Sequence, residues 1–174
     1  METHVRPLEL DLSKIEELGK LRKQENQQFK SFLRGKNARK ITLAVHKLNA
    51  EIAPKIDCTT CGNCCRNLSP CLNKEDLRNL AAGLDLQPEE VIEKYTETDA
   101  NGLSLKHLPC IFLKDNKCSI YQHRPSQCAS FPHLEQEDIT SRLRNILDNY
   151  SICPIIFNVI EQLKLEFEFE NEGM

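Results

Sequence analysis

Eight of the nine cysteines in this 174-residue chain form a dense run followed by a dispersed set. They are Cys58, Cys61, Cys64, Cys65, Cys110, Cys118, Cys128 and Cys153. Two cysteines separated by two residues bring their sulfur atoms together in one turn, which suits the short metal–sulfur bonds of a thiolate site. The spacing therefore predicts that these eight cysteines bind metal, with enough thiolates for two four-ligand sites.

The first three cysteines of the dense run have the spacing of a bacterial iron-sulfur motif. In that motif, three thiolates at two-residue intervals bind a cluster and a distant cysteine adds a further ligand. The sequence departs from the motif after Cys64, because Cys65 follows at once and a Cys-Pro pair occurs only at Cys153. Thiolates suit zinc as well as iron. We predict an iron-sulfur cluster or iron as the cofactor, with zinc as the alternative.

The adjacent pair Cys64 and Cys65 bears on the number of centres. Neighbouring side chains point to opposite sides of a strand and about 100° apart on a helix, so the two thiols are awkwardly directed for one ion. One hypothesis places Cys64 with Cys58 and Cys61 in one site, and Cys65 with three of the later cysteines in another. The ninth cysteine, Cys71, precedes a helical segment and is interpreted as a thiol without a metal ligand role.

Composition and the chain start limit the classes of protein. A net charge of −3, from 23 basic and 26 acidic residues in small scattered groups, predicts no nucleic-acid partner. No apolar secretion segment opens the chain, and no stretch reaches the roughly 18 apolar residues of a membrane helix. We therefore expect no membrane association and a cytoplasmic location, where such cysteine spacings favour metal over disulfides.

The apolar pattern predicts a largely helical chain in three parts. Residues 1–54 form a helical extension, 55–160 the cysteine-cluster metal-binding domain, and 161–174 an acidic, frayed tail. Apolar residues at three- and four-residue steps predict two N-terminal helices separated by Gly35. The fold class is mainly α with a small β ribbon (α+β): a compact cysteine-rich domain organised around metal and preceded by the helical extension.

Short elements are predicted to carry the later cysteines. Helices are expected from Lys74 to Ala82, from Glu89 to Tyr95 and over 139–147. Between them, a polar turn at 114–116 predicts an antiparallel ribbon whose two arms carry Cys110 and Cys118. A short helix that contains Cys128 follows.

The motifs together resemble the CxxCxxCC cysteine-cluster family of zinc- or iron-chelating domains. The resemblance rests on Cys58-x2-Cys61-x2-Cys64-Cys65, Cys110-Ile111-Phe112-Leu113, Cys118-Ser119-Ile120-Tyr121, Arg124-Pro125, Cys128 and Phe131-Pro132. It runs from about Cys58 to Cys153 and implies metal chelation by eight cysteines, with Cys71 outside the pattern. A related module is associated with an iron-sulfur cluster in flagellin lysine-N-methylases, but the resemblance implies no methyl transfer here.

Three functions follow as hypotheses. The first is a metal-binding protein that holds an iron-sulfur or iron centre for electron transfer, sensing or stability. The second is a structural zinc module that mediates protein interactions, and the third is a metal-dependent enzyme of unknown substrate. Glycine-rich phosphate loops, G-x-S-x-G and H-E-x-x-H motifs are absent, so the sequence does not decide whether the protein is an enzyme. A redox or protein partner is expected at the N-terminal helices, while the oligomeric state is left open.

Overall fold

The computed structural model describes residues 7–100 and 102–170, and the chain divides into two compact units. Met1–Asp57 and Pro132–Met174 form one, which we call the helical unit, and Cys58–Phe131 forms the other, the cysteine unit. This division differs from the predicted one, which assigned residues 132–160 to the cysteine domain. In the structure, these residues form one compact unit with the N-terminal helices.

The described residues form ten helices and four strands. The helices are α1 (Leu12–Leu21), α2 (Lys23–Arg34), α3 (Ala38–Ile52), α4 (Cys58–Cys61), α5 (Asn63–Asn67), α6 (Lys74–Leu84), α7 (Pro88–Tyr95), α8 (Ser126–Ser130), α9 (Ile139–Asp148) and α10 (Pro154–Glu166). The strands are β1 (Thr96–Asp99), β2 (Gly102–Leu105), β3 (Leu113–Lys114) and β4 (Lys117–Cys118). The predicted fold class, mainly α with a small β ribbon, is confirmed. No helix within the described ranges is long and apolar enough to span a bilayer.

The helical unit consists of α1, α2, α3, α9 and α10. Asp11 caps α1 by accepting hydrogen bonds from two backbone amides, and Asn37 caps α3 by accepting one from the Lys40 amide. Helix α3 packs against both α9 and α10, while α1 contacts α2 and α10. Fully buried apolar side chains such as Phe29, Ile41 and Leu163 fill the space between the helices. Hydrophobic burial of these helix faces therefore stabilises the unit.

Helix α10 is buried along nearly its whole length. Every residue from Pro154 to Lys164 is buried, including the charged residues Glu161 and Lys164. The sequence predicted a frayed acidic tail over residues 161–174. In the structure, residues 161–166 are instead the last part of α10. Residues 171–174 lie outside the described part of the chain. Residues 161–164 stay helical despite their charged side chains because they are buried within the helical unit.

A network of charged groups satisfies the buried polar atoms of α10. Glu161 Oε1 accepts hydrogen bonds from Tyr150 and from Lys164 Nζ, both at 2.8 Å, and its other oxygen contacts Arg22. Lys164 also pairs with Glu25 at 2.5 Å. Burial alone would raise the pKa of Glu161, but the positive charge and hydrogen bond of Lys164 outweigh it and lower the pKa. Glu161 is therefore held as a carboxylate within the core.

The cysteine unit is built on α6, α7 and two small hairpins. Asn73 and Asp76 form a capping box at the start of α6, which packs against α7. Strands β1 and β2 pair antiparallel with Thr96 opposite Leu105, and β3 and β4 pair with Leu113 opposite Cys118. A core cluster of apolar side chains joins these elements. Its buried members are Leu77, Leu80, Ala81, Val91, Leu105, Phe112 and Ile120.

Candidate metal centre

Seven of the eight predicted ligands lie in the cysteine unit. Cys58 and Cys61 lie on α4, Cys64 and Cys65 on α5, Cys110 in the turn before β3, Cys118 on β4 and Cys128 on α8. Cys58 is exposed and the other six predicted ligands in this unit are partly buried. The eighth, Cys153, is buried in the helical unit, where it is the residue before α10.

The dense cysteine run forms two short helices joined by a left-handed glycine. Gly62 has φ +61 and is buried against the second hairpin, so a β-carbon there would lie 3.0 Å from Asn116 O and 3.1 Å from Leu113 Cδ1. Arg66 adds a hydrogen bond to Cys61 O at 3.1 Å and a contact to the Asn116 side chain. Helix α4 also packs against β4. These contacts fix the dense run next to the strand that carries Cys118.

We predict that Gly62→Ala destabilises the cysteine unit. A side chain in the left-handed region costs about 1–2 kcal/mol, and the crowding against Asn116 adds to this cost. The measurement is the free energy of unfolding in urea. Gly35→Ala is the control, because its φ is −85 and the added carbon would meet Phe32 O at an ordinary 3.6 Å. Equal stability of the two variants would contradict the role assigned to Gly62.

Backbone pairing brings Cys110 and Cys118 towards the dense run. The Cys110 amide donates to Cys65 O at 2.8 Å, and the Leu113 amide donates to Cys110 O at 2.9 Å. Cys118 lies opposite Leu113 in the second hairpin. Cys118 therefore lies on the ribbon as predicted, whereas Cys110 lies in the turn before β3 and not on an arm of the ribbon. The hydrogen bond of its amide, and not strand pairing, places Cys110 beside α5.

Electrostatic interactions connect Cys128 to the same group. Burial, followed by the charges of Cys65, Cys110 and Cys118, raises the pKa of Cys128 to about 12. Burial also raises the pKa of Cys110 and of Cys118, and the negative charge of Cys65 adds to both effects. Interactions of this kind require proximity. We call Cys65, Cys110, Cys118 and Cys128 the four-cysteine cluster.

A positive side chain faces the cluster. Arg124 lowers the pKa of Cys118 and of Cys128, against the larger effect of burial. The Arg124 guanidinium stacks on the Tyr121 ring at 3.7 Å and donates to the backbone oxygen of the same residue at 2.8 Å. These contacts hold a cation next to the thiols, where it offsets part of the charge of bound thiolates.

Cys65 is the member of the four-cysteine cluster whose pKa is lowered, whereas the pKa values of the other three are raised. The hydrogen bond from Cys64 lowers the pKa of Cys65 to about 6, although burial opposes this, and the Arg66 charge assists. The two sulfur atoms lie 4.0 Å apart. Two thiolates of one tetrahedral ion are separated by about 3.8 Å, given bonds of about 2.3 Å. The adjacent thiols therefore do not have to serve separate centres.

In the metal-free protein we predict selective alkylation of Cys65. A thiolate reacts and a thiol does not, so Cys65 should react with iodoacetamide at pH 7 with a midpoint near pH 6. Cys110, Cys118 and Cys128 should stay unmodified at that pH, because their pKa values are raised. Peptide mapping by mass spectrometry after short exposure measures each site. Modification of Cys128 as fast as Cys65 would contradict these protonation states.

The chemistry of the cluster fits a metal ion better than an empty thiol pocket. Burial raises the pKa of Cys110, Cys118 and Cys128, so these thiols become thiolates together with Cys65 only if a cation supplies opposite charge. Binding would release the thiol protons. Within residues 7–100 and 102–170, no three side chains of the usual ligand types already stand in coordination geometry. The cysteines are thus neighbours that a metal would draw closer together.

The comparisons with known proteins agree with this type of site. The chain belongs to the CxxCxxCC family, described as a "putative zinc- or iron-chelating domain", whose model matches residues 57–153. This confirms the family resemblance and supports metal binding in general.

One curated relative is the uncharacterized protein MJ0661 of Methanocaldococcus jannaschii. It is 38% identical over 85 residues, which cover 45% of this chain and 45% of that protein. The matched part thus spans less than half of that relative. No solved structure matches the chain.

Sequence reasoning did not identify Asp76 as part of the site. The carboxylate accepts hydrogen bonds from the backbone amide and the hydroxyl of Ser126, at 2.7 and 3.2 Å, and Ser126 begins the helix that carries Cys128. The capping pattern at Asn73 indicates that Asp76 turns back towards its own helix start. No sequence pattern indicates the hydrogen bonds of Asp76 to Ser126, which lies fifty positions later.

Proposed function

We propose that the protein holds an iron-sulfur or iron centre through cysteine thiolates, for electron transfer, sensing or stability, and that the centre is an iron-sulfur cluster. The observation that supports this most is the four-cysteine cluster, in which Cys65, Cys110, Cys118 and Cys128 interact within one compact unit. Four thiolates are the usual ligand set of a [2Fe–2S] or [4Fe–4S] cluster. Metal binding by Cys58, Cys61, Cys64 and Cys153 stays a prediction.

The electrostatic setting supports a charged centre in this position. Burial of the thiols and the nearby Arg124 create a partly desolvated environment with one compensating positive charge. Charge, hydrogen bonding and solvent exposure around the sulfur atoms set the reduction potential of iron-sulfur clusters. The backbone amides of Phe112 and Leu113 lower the pKa of Cys110, and that of Ile120 lowers the pKa of Cys118, both against the larger effect of burial. These amides would hydrogen-bond to the sulfur ligands of a bound cluster.

A structural zinc site is the second candidate, and one feature of the cysteine unit favours it. The elements that carry the cysteines are very short: α4 has four residues, α5 and α8 have five, and β4 has two. Such elements do not persist on their own, because helix nucleation is costly and single hairpins are marginal. A closed four-thiolate zinc site would stabilise them directly.

Partner binding by the N-terminal helices and a cytoplasmic location stay predictions.

Metal and acid-labile sulfide analysis of protein purified without oxygen tests the proposal. Iron with equimolar sulfide and a broad absorbance band near about 400 nm are the expected result. Colourless protein with zinc bound would support the structural alternative instead. Protein that takes up neither metal, even after reconstitution with iron and sulfide, would contradict both candidates.

A further inference from the structure

We propose that Asp76 positions Cys128 for metal binding, by fixing the start of the helix that carries it. The inference rests on the proposed role of the four-cysteine cluster in holding metal. It adds to that site a carboxylate that does not itself contact the metal and that the cysteine pattern does not include.

The hydrogen bonds of Asp76 reach from α6 to α8. Its Oδ1 accepts from the Ser126 amide at 2.7 Å, and its Oδ2 accepts from the Ser126 hydroxyl at 3.2 Å and from the Asn73 amide at 3.0 Å. The residue is only 5% exposed. A buried carboxylate with three donors holds one orientation, because loss of any donor would leave a desolvated charge less well satisfied.

Helix α6 is the anchor in this arrangement. Directly after Asp76, Leu77 is buried in the core of the cysteine unit, and Leu80 and Ala81 follow on the same face. The carboxylate is therefore attached to the best-packed helix of the unit. Its position does not depend on the short elements that carry cysteines.

Helix α8 is the dependent element. It has five residues, too few for a stable isolated helix, and its own start has no side-chain cap within the helix. A second hydrogen bond, from the Cys71 amide to Gln127 Oε1 at 3.0 Å, holds the residue next to Cys128. Asp76 and Cys71 therefore both determine where the Cys128 thiol lies, and Asp76 makes the stronger, charged contacts.

The consequence for the metal is a change in ligand geometry. Groups that orient a metal ligand without binding the metal typically contribute 10–100-fold to metal affinity. With Asp76→Ala the start of α8 loses both hydrogen bonds to the carboxylate, and the helix that carries Cys128 is no longer fixed to α6 at Ser126. We expect cobalt(II) affinity to fall about 10–100-fold. The thiolate-to-cobalt absorbance per bound ion should also fall, because one of about four sulfur ligands is lost.

The experiment compares three full-length variants with the wild type by cobalt(II) titration against a competing chelator. Asp76→Ala should show both losses. Asp76→Asn should recover part of the affinity, since its side-chain oxygen can still accept from the Ser126 amide. Glu75→Ala is the matched control, because this neighbouring side chain is exposed, and it should bind like the wild type.

The possible results separate this inference from the proposed function. Wild-type affinity and full absorbance in folded Asp76→Ala protein would overturn the role of Asp76 alone. Wild-type protein that binds no cobalt through thiolates would contradict the proposed function and, with it, this inference. If circular dichroism shows Asp76→Ala to be unfolded, Asp76→Asn decides: an undiminished affinity overturns the proposal, and a reduced one in folded protein supports it.

Discussion

Cys128→Ser protein is expected to lose the metal of the four-cysteine cluster. A serine hydroxyl is a hard donor that stays protonated near neutral pH, so it does not replace a thiolate towards iron or zinc. The substitution also leaves only three thiol ligands, Cys65, Cys110 and Cys118, for a centre that requires four. Elemental analysis of the purified variant should show that all the metal bound by the four-cysteine cluster is lost. If that metal is an iron-sulfur cluster, its visible absorbance should be lost as well.

The matched control for this experiment is Cys71→Ser. Cys71 is partly buried like Cys128, and its amide is bonded to the Gln127 side chain, but its thiol is predicted not to bind metal. The variant should keep the metal content of the wild type. Retention of metal by Cys128→Ser together with loss from Cys71→Ser would reverse the assignment of these two cysteines.

Glu161→Ala is expected to destabilise the helical unit strongly. Glu161 and Lys164 are both buried, and Arg22 and Tyr150 share the same carboxylate. Lys164 keeps Glu25 as a partner, but Arg22, Tyr150 and Lys164 all lose the buried carboxylate that they share. Breaking a buried ion pair typically costs about 3–5 kcal/mol. The free energy of unfolding in urea at neutral pH measures this loss.

The pH dependence of the same variant gives a second test. The pKa of Glu161 is lowered on folding from an ordinary value of 4.5, so its stabilising contribution is present above that pH. It is lost as the pH falls through the folded-state pKa, and the difference between wild type and Glu161→Ala should shrink there. Glu166→Ala, an exposed change on the same helix, should alter stability by less than about 0.5 kcal/mol. Equal effects of the two substitutions would contradict the buried network.

Several elements of the fold were predictable because their signals are local. Asn73 caps α6, Pro88 opens α7, and the polar turn before Lys117 closes the second hairpin, each at the position that the sequence indicates. The cysteine spacing predicts metal ligands in the same local way, since two-residue intervals bring thiols together in one turn, and the family match supports metal binding in general. Helix α8, with Cys128 inside it, also lies where the pattern predicted it.

Other features depend on contacts between distant parts of the chain and were not predictable. The acidic residues after Glu161 suggested a frayed tail, whereas burial against α1 and α3 keeps residues 161–166 helical. Strand β1 carries mostly polar residues and forms only because β2 pairs with it. The raised pKa of Cys128 follows from desolvation and from neighbours that folding brings near. No local pattern encodes such effects.

Metal-edge X-ray absorption tests most directly whether the four-cysteine cluster holds metal by itself. The protein to measure is the variant with serine at Cys58, Cys61, Cys64 and Cys153, loaded with the metal found in the wild type. If the four-cysteine cluster holds metal by itself, the spectrum should show about four sulfur ligands per metal, at about 2.3 Å if the metal is zinc. A variant that binds no metal, or that shows mainly oxygen and nitrogen ligands, would contradict it.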